Sequence, residues 1–164
     1  MVAVFRFLLK LTTGLFVLAL AGSMLTYYFA SRSLPDYNAT TTVSGISAEV
    51  EIVRDHANVP HIFGATDNDV FFALGYAHMQ DRMWQMIMLR RTAQGRLSEI
   101  FGERTVPIDS LLRRLDLYNL SIQSVDALSP ETQTALNAYA AGVNARLDQV
   151  NSEALGRGAP EMWL

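Results

Sequence analysis

The chain has 164 residues, with 13 Lys and Arg against 16 Asp and Glu, for a formal net charge of −3. Lys10 is its single lysine, so no lysine-rich tail is present, and the negative balance argues against nucleic acid or another polyanion as partner. The absence of cysteine removes disulfides, zinc–thiolate sites and thiol catalysis together.

The N-terminal segment 1–32 reads as a membrane signal. Arg6 and Lys10 precede Leu11–Ser31, a run without charge whose length is close to the roughly 20 residues that cross a bilayer as a helix. Positive charge on the N-terminal side predicts the N-terminus in the cytoplasm and the body outside, with Tyr27, Tyr28 and Phe29 at the far interface. The run exceeds the 7–15 apolar residues of a secretory signal core, which favours an uncleaved inner-membrane anchor with a periplasmic body. Cleavage at Ala19-Leu20-Ala21, releasing the body to the periplasm, is the competing reading. Residues 33–47, rich in Thr and containing Pro35, read as a linker.

From 48 to 164 the pattern is α+β and helix-rich. Ala48–Arg54 alternates and is rich in β-branched residues, Asp55–Asn58 has turn chemistry, and Val59–Phe63 returns as a second strand, so a hairpin is expected. Thr66 followed by Asp69 resembles a capping box opening a helix over Asp67–Arg91. Gly75 inside that helix costs about 1 kcal/mol relative to Ala, which points to a close packing contact. Gly95 interrupts the path, a short turn runs to Ile100, and Gly102 caps it. A helix from Ser110 to about Val125 follows, opened by Asp109, with Leu111, Leu112, Leu115 and Tyr118 as its apolar face. Ser129-Pro130 starts another, running to about Val150 and burying Leu136, Tyr139, Ala140, Val143 and Leu147. Residues 151–160 read as a loop. The apolar ending APEMWL suggests that an element continues, and the chain is expected to be an N-terminal fragment.

The helix over Asp67–Arg91 is apolar on most sides, with Phe72, Tyr76, Met79, Met83 and Met86 on one face and Ala73, Ala77, Trp84 and Ile87 on another. Such a helix is normally buried. A polar stripe of His78, Asp81, Arg82 and Gln85 would then be an internal network, with Asp81 paired to an arginine such as Arg82, Arg90 or Arg91. A catalytic role for the stripe is the sharper alternative, but no nucleophile accompanies it. His56, His61 and His78 lack ligand spacing such as H-E-x-x-H, and His61 is expected to be partly buried with its ring bonded to backbone.

Four ordered segments resemble the penicillin acylase family: R-D-x-x-x-V-P-H-I at Arg54–Ile62, G-Y-A-H-x-Q-D-R at Gly75–Arg82, R-R-x-x-x-G-R-L-x-E-x-x-G at Arg90–Gly102 and A-Y-A-x-G-V-N-A at Ala138–Ala145. Asn58 stands where glycine is usual and Met79 where alanine is usual, and Asn tolerates a left-handed turn. The resemblance implies an N-terminal-nucleophile (αββα) amidohydrolase, cut from a precursor into an α and a β chain. Its nucleophile would be a serine at the start of the β chain, acting through its own α-amino group. That serine is not in this sequence, so no residue here is assigned a catalytic, substrate-binding or metal role. No cofactor is implied for this chain, whereas the full-length protein could hold a calcium ion. The implied partners are the rest of the α chain, the β chain, the lipid bilayer and a small amide substrate such as a β-lactam side chain or an N-acyl homoserine lactone. A non-catalytic anchored helical module that binds a protein partner is the alternative reading.

Overall fold

The computed structural model describes residues 2–33 and 35–152. Helix α1 spans Val2–Ser33, and its apolar stretch, Val2–Ser31, has a mean hydropathy of 1.9 with no part buried by the rest of the chain. Its length of about 45 Å exceeds the roughly 30 Å hydrocarbon core of a bilayer. The hydroxyls of Thr12, Thr13, Ser23 and Thr26 donate to carbonyls one turn back, so each is satisfied within its own helix, as lipid requires. By length and composition this N-terminal helix is long and apolar enough to cross a membrane, a property that anchors and signal sequences share.

The hairpin is shorter than the sequence pattern suggests, with β1 at Glu51–Arg54 and β2 at Pro60–Phe63, paired antiparallel so that Glu51 faces Phe63 and Arg54 faces Pro60. Residues 48–50 alternate but find no partner strand. The turn is built by Asp55, whose carboxylate accepts the amides of Ala57 and Val59 at 2.9 Å, with Asn58 left-handed at φ 62°. Those amide bonds, that of Val59 foremost, with His61 beside it, hold the Asp55 carboxyl below its ordinary pKa. One face of the hairpin, with Ile52 and Ile62, is half-buried, and the other leaves Val53 and Phe63 exposed.

Helix α2 (Asp67–Ala93) starts as its sequence promises, with Thr66 Oγ1 accepting the amide of Asp69 at 3.2 Å. Asp69 does more than close the cap. Its buried carboxylate accepts the Ser47 amide and hydroxyl, each at 2.7 Å, and the Thr66 hydroxyl at 2.8 Å. These bonds, that of the Ser47 hydroxyl first, hold its carboxyl below the ordinary value of 3.8. The helix bends at Arg82, whose φ of −133° is non-helical, and ends in a Schellman motif. There the Gly95 amide donates to Thr92 O and the Arg96 amide to Arg91 O, with Gly95 at φ 61°. A Cβ at Gly95 would also meet Arg113 Cγ and Asp109 O at 2.7 Å.

Helix α3 (Ser98–Phe101) and a 3-10 turn at Glu103–Thr105 lead into α4 (Val106–Leu115) and α5 (Leu117–Asp126). Two expectations are corrected here. Asp109 lies inside α4, not before it, and its buried carboxylate caps α3 by accepting the amides of Leu97 and Ser98 and the Ser98 hydroxyl. The expected continuous helix over 110–125 is broken at Asp116, which is left-handed at φ 54° and holds Asn119 Nδ2 at 2.6 Å. Asp reaches that conformation at modest cost, and the apolar period runs through the break, so periodicity gave no notice of it. Of the expected apolar face, Leu111, Leu115 and Tyr118 are exposed in this chain, and α5 buries no residue.

Helix α6 (Pro130–Ser152) has Ser129 as its N-cap, with Ser129 Oγ accepting the Thr132 amide at 3.3 Å. Its buried stripe is Gly142, Arg146 and Val150, an i, i+4, i+8 line. Leu136 and Ala140, expected inside, are exposed, while Tyr139, Val143 and Leu147 are half-buried. The expected loop begins later than residue 151, since Asn151 and Ser152 are helical, and the rest of it lies outside the described residues.

Packing of α2 against α6 forms the core. A Cβ at Gly75 would strike the carbonyl of Tyr139, and one at Gly142 would strike the carbonyl of Phe72, so the two backbones touch where the helices cross. Beyond the crossing, Met79 and Met83 meet Val150, with Met86, Ile87, Val143 and Leu147 against them. Both helices therefore run in the same direction from the crossing, the chain returning between them through α3, α4 and α5. In an isolated helix, Ala in place of Gly adds about 1 kcal/mol. At this crossing the sign reverses: Gly142→Ala should lower stability by about 2 kcal/mol, because backbones cannot yield as a flexible side chain can. Thermal melting of the protein and its variant checks this, and an unchanged or higher melting temperature would contradict the contact.

Candidate functional site

The densest polar constellation joins three parts of the chain at Arg54. From β1 its guanidinium forms a two-pronged pair with Asp81 of α2, at 2.9 and 3.0 Å, and donates to the Asn58 carbonyl at 3.1 Å. The Tyr37 ring lies 3.9 Å beneath the Arg54 guanidinium carbon, and the Tyr37 hydroxyl donates to Asp81 at 3.1 Å. The side chains of Arg54 and Asp81 are 9% and 22% exposed, so the pair is partly dry. Residues 37–47 run as a strap held to α2 at both ends, by Tyr37 and Ser47. Between this strap, β1 and α2 lies an open cavity of about 940 Å³, bordered by Glu49, Glu51, Tyr76 and Gln80.

Asp81 therefore has an arginine partner, but not one of those expected. Arg82 donates to Gln85 and Arg91 pairs with Glu99, whereas the partner of Asp81 comes from the hairpin. A second correction concerns the stripe itself. His78, Asp81, Arg82 and Gln85 are exposed and do not form an internal network. His61 also departs from expectation, being exposed with Nε2 3.3 Å from the Asp55 carboxylate instead of on backbone. His78 Nδ1 sits 3.0 Å from the Tyr139 hydroxyl, which links α2 to α6, and burial raises the Tyr139 pKa.

Two buried acids and a buried arginine escaped sequence reasoning: Asp69, Asp109 and Arg146. Asp69 carried a local signal, the Thr66 cap, but its second partner is Ser47. Asp109 has the sequence pattern of a cap for the helix that follows it, yet it caps the one before. At Asp109 burial pushes the carboxyl up. The Ser98 hydroxyl, the amides of Ser98 and Leu97 and the charge of Arg113 outweigh it, and the net shift is downward.

Chemically these groups hold shape. Nucleophilic catalysis needs a hydroxyl or thiol bonded to a base. Here the Ser47 and Ser98 hydroxyls donate to the buried carboxylates of Asp69 and Asp109 and not to a base, and His78 bonds a phenol. Among the described residues no group of three or more His, Asp and Glu is placed to hold a metal ion.

The sequence model of the penicillin amidase family matches residues 49–164. Penicillin acylase 2 proenzyme of Pseudomonas sp. (strain SE83) is 39% identical over 115 residues, 70% of this chain and 15% of its own length. Acyl-homoserine lactone acylase QuiP of Pseudomonas syringae pv. tomato is 34% identical over 151 residues, 89% of this chain and 18% of its own length. The solved structure of a thermostable penicillin G acylase from Alcaligenes faecalis matches with a TM-score of 0.57 at 32% identity, over 63% of this chain and 55% of that one. The chain thus spans less than a fifth of the length of these curated relatives.

Two outcomes follow from the polar pairs. Asp81→Ala leaves the Arg54 guanidinium without its anion and should cost about 3 kcal/mol, with poor accumulation of the protein. Thermal melting reads it, and a stable, normally accumulating variant would contradict a structural role. The depressed carboxyls of Asp69 and Asp109 contribute stability that is complete above the ordinary carboxylate pKa of 3.8 and is lost as pH falls through their lower folded values. Melting temperature should therefore fall steeply below about pH 4, and Asp69→Asn should flatten that acid limb. An unchanged limb in the variant would contradict this.

Proposed function

Because the chain belongs to the penicillin amidase family, we propose that residues 48–164 form the beginning of the α subunit of an exported amidohydrolase of the N-terminal-nucleophile (αββα) type, held at the inner membrane by α1. The reaction is hydrolysis of a linear amide: a serine hydroxyl attacks the carbonyl, its proton passes through the serine's own amino group to the leaving amine, and water then releases the acid. That serine would begin a β chain lying beyond this sequence. The names of the relatives, penicillin acylase and acyl-homoserine lactone acylase, suggest an acyl group on a small bicyclic or lactone amine.

One observation carries this reading. Three of the four matched segments are fastened to one another, Arg54 to Asp81, Gly75 to the Tyr139 carbonyl and His78 to Tyr139, and the remaining one is closed on itself by Arg91 and Glu99. They are the joints of a scaffold, and the reacting groups belong elsewhere. The apolar face of α4 and α5, with Leu111, Leu115, Leu120 and Ile122 exposed, supports it, since a surface of that kind calls for a covering protein part.

The full-length protein, recovered from membranes and analysed by mass spectrometry, should consist of two chains, the second beginning with serine. It should release the free amine from penicillin G or from an N-acyl homoserine lactone, and replacing that first serine by alanine should abolish release. A single unprocessed chain without amide hydrolysis would refute the proposal and favour an anchored binding module.

A further inference from the structure

Arg146 is the one residue of the α2–α6 interface whose chemistry is incomplete. It lies on the buried line Gly142–Arg146–Val150, one turn past the crossing, and is 7% exposed. Among the described residues its buried Nε has no hydrogen-bond partner. Its bond through a terminal nitrogen reaches Gln149 Oε1 at 3.3 Å, and that oxygen already accepts the Tyr76 hydroxyl at 2.7 Å. A guanidinium cannot shed its proton to escape burial. Among the described residues no carboxylate pairs with it: Asp81 is held by Arg54, Glu99 by Arg91 and Arg96, and Asp55 by His61. Asp148, the neighbouring acid on α6, is exposed. The other titratable groups on the facing stretches are Tyr76, bonded to Gln149, and His78 with Tyr139.

A fixed cation at nine-tenths burial is tolerated only when an anion meets it. We infer that Arg146 is a receptor for a carboxylate carried by the same polypeptide beyond Ser152, the docking point through which the α2–α6 pair engages the rest of the protein. The curated relatives extend far beyond the matched region, which occupies 15% and 18% of their lengths, so ample chain is available to supply it. An aromatic or aliphatic partner could cover the interface but would leave the guanidinium unanswered, and a bidentate carboxylate fits its fork. The inference rests on the reading of this chain as the start of a longer acylase.

The test is thermal melting of the full-length protein and of Arg146→Met and Arg146→Lys, near neutral pH and at about pH 5. Met fills similar volume without charge. With the receptor emptied, the partner carboxylate is left buried alone, so the Met variant should melt several degrees lower near neutral pH. An orphaned buried carboxyl takes up a proton at unusually high pH, so that deficit should shrink toward about pH 5. Lys, keeping the charge, should lose less. A Met variant as stable as the wild type at both pH values would overturn the proposal. So would a wild-type melting temperature that climbs with added acetate when that of the Met variant does not, because a free anion would then be the ligand. If the Met variant fails to accumulate, an accumulating Lys variant supports the charge requirement, and failure of both assigns the site to shape and overturns it. Amide hydrolysis by the wild type reports separately on the acylase reading. An active wild type with an indifferent Met variant refutes the receptor alone. An inactive wild type with a pH-dependent Met deficit refutes the acylase alone.

Discussion

Backbone contact between α2 and α6 at Gly75 and Gly142 is the constraint on which the rest of this chain depends. Neither position has room for a single extra carbon, because the atoms opposite are the carbonyls of Tyr139 and Phe72. Closest approach brings the flanking side chains into register, and the Met79, Met83 and Val150 cluster forms about one to two turns further along. Methionine suits that cluster, since an unbranched thioether fills the irregular space between two helices diverging from a tight crossing. Glycine weakens each helix by about 1 kcal/mol in isolation, so the crossing must return more than it costs.

The strap, the hairpin and the α3–α4 unit are each held by polar bonds to charged side chains. Asp69 ties Ser47 to the start of α2, Asp109 ties α4 to α3, and Arg54 gathers the hairpin, α2 and the strap at Tyr37. Each tie uses an anion or cation saturated with donors or acceptors, the condition under which burying charge is tolerable. Arg146 stands apart because its own list of partners is short. The same chain leaves Val53, Phe63, Leu111 and Ile122 in the open, so its apolar surface and its unanswered cation point to one and the same need.

How far this was legible in the sequence follows the range of each interaction. The Thr66 cap, the left-handed Asn58, the Gly95 stop and the Ser129-Pro130 start all work over three or four residues, and local chemistry identified each. Gly75 could be recognised as a packing position, but its partner Gly142, 67 positions further on, could not be named. The partner of Asp81 was sought among arginines on its own helix, while Arg54 reached it across the fold. The stripe misled for a related reason. A helix apolar on most sides suggests burial all round, yet burial is settled by which elements are present, and those present cover the α6 side and the hairpin side of α2. At Asp116 a break is invisible to periodicity, because two amphipathic helices in line keep the same apolar rhythm. In α6 the buried line contains glycine and arginine, residues that no hydrophobic pattern selects.

The most direct test of the central claim is native-state hydrogen exchange followed by mass spectrometry. Amides of α2 around Gly75–Met83 and of α6 around Gly142–Val150 should be the slowest in the body of the chain after α1 and should open together, because separating the crossing exposes both. Amides of α5, which buries no residue here, should exchange fastest among the helices of the body unless a further protein part covers them. Independent opening of α2 and α6, or protection of the pair no greater than that of α5, would contradict the account.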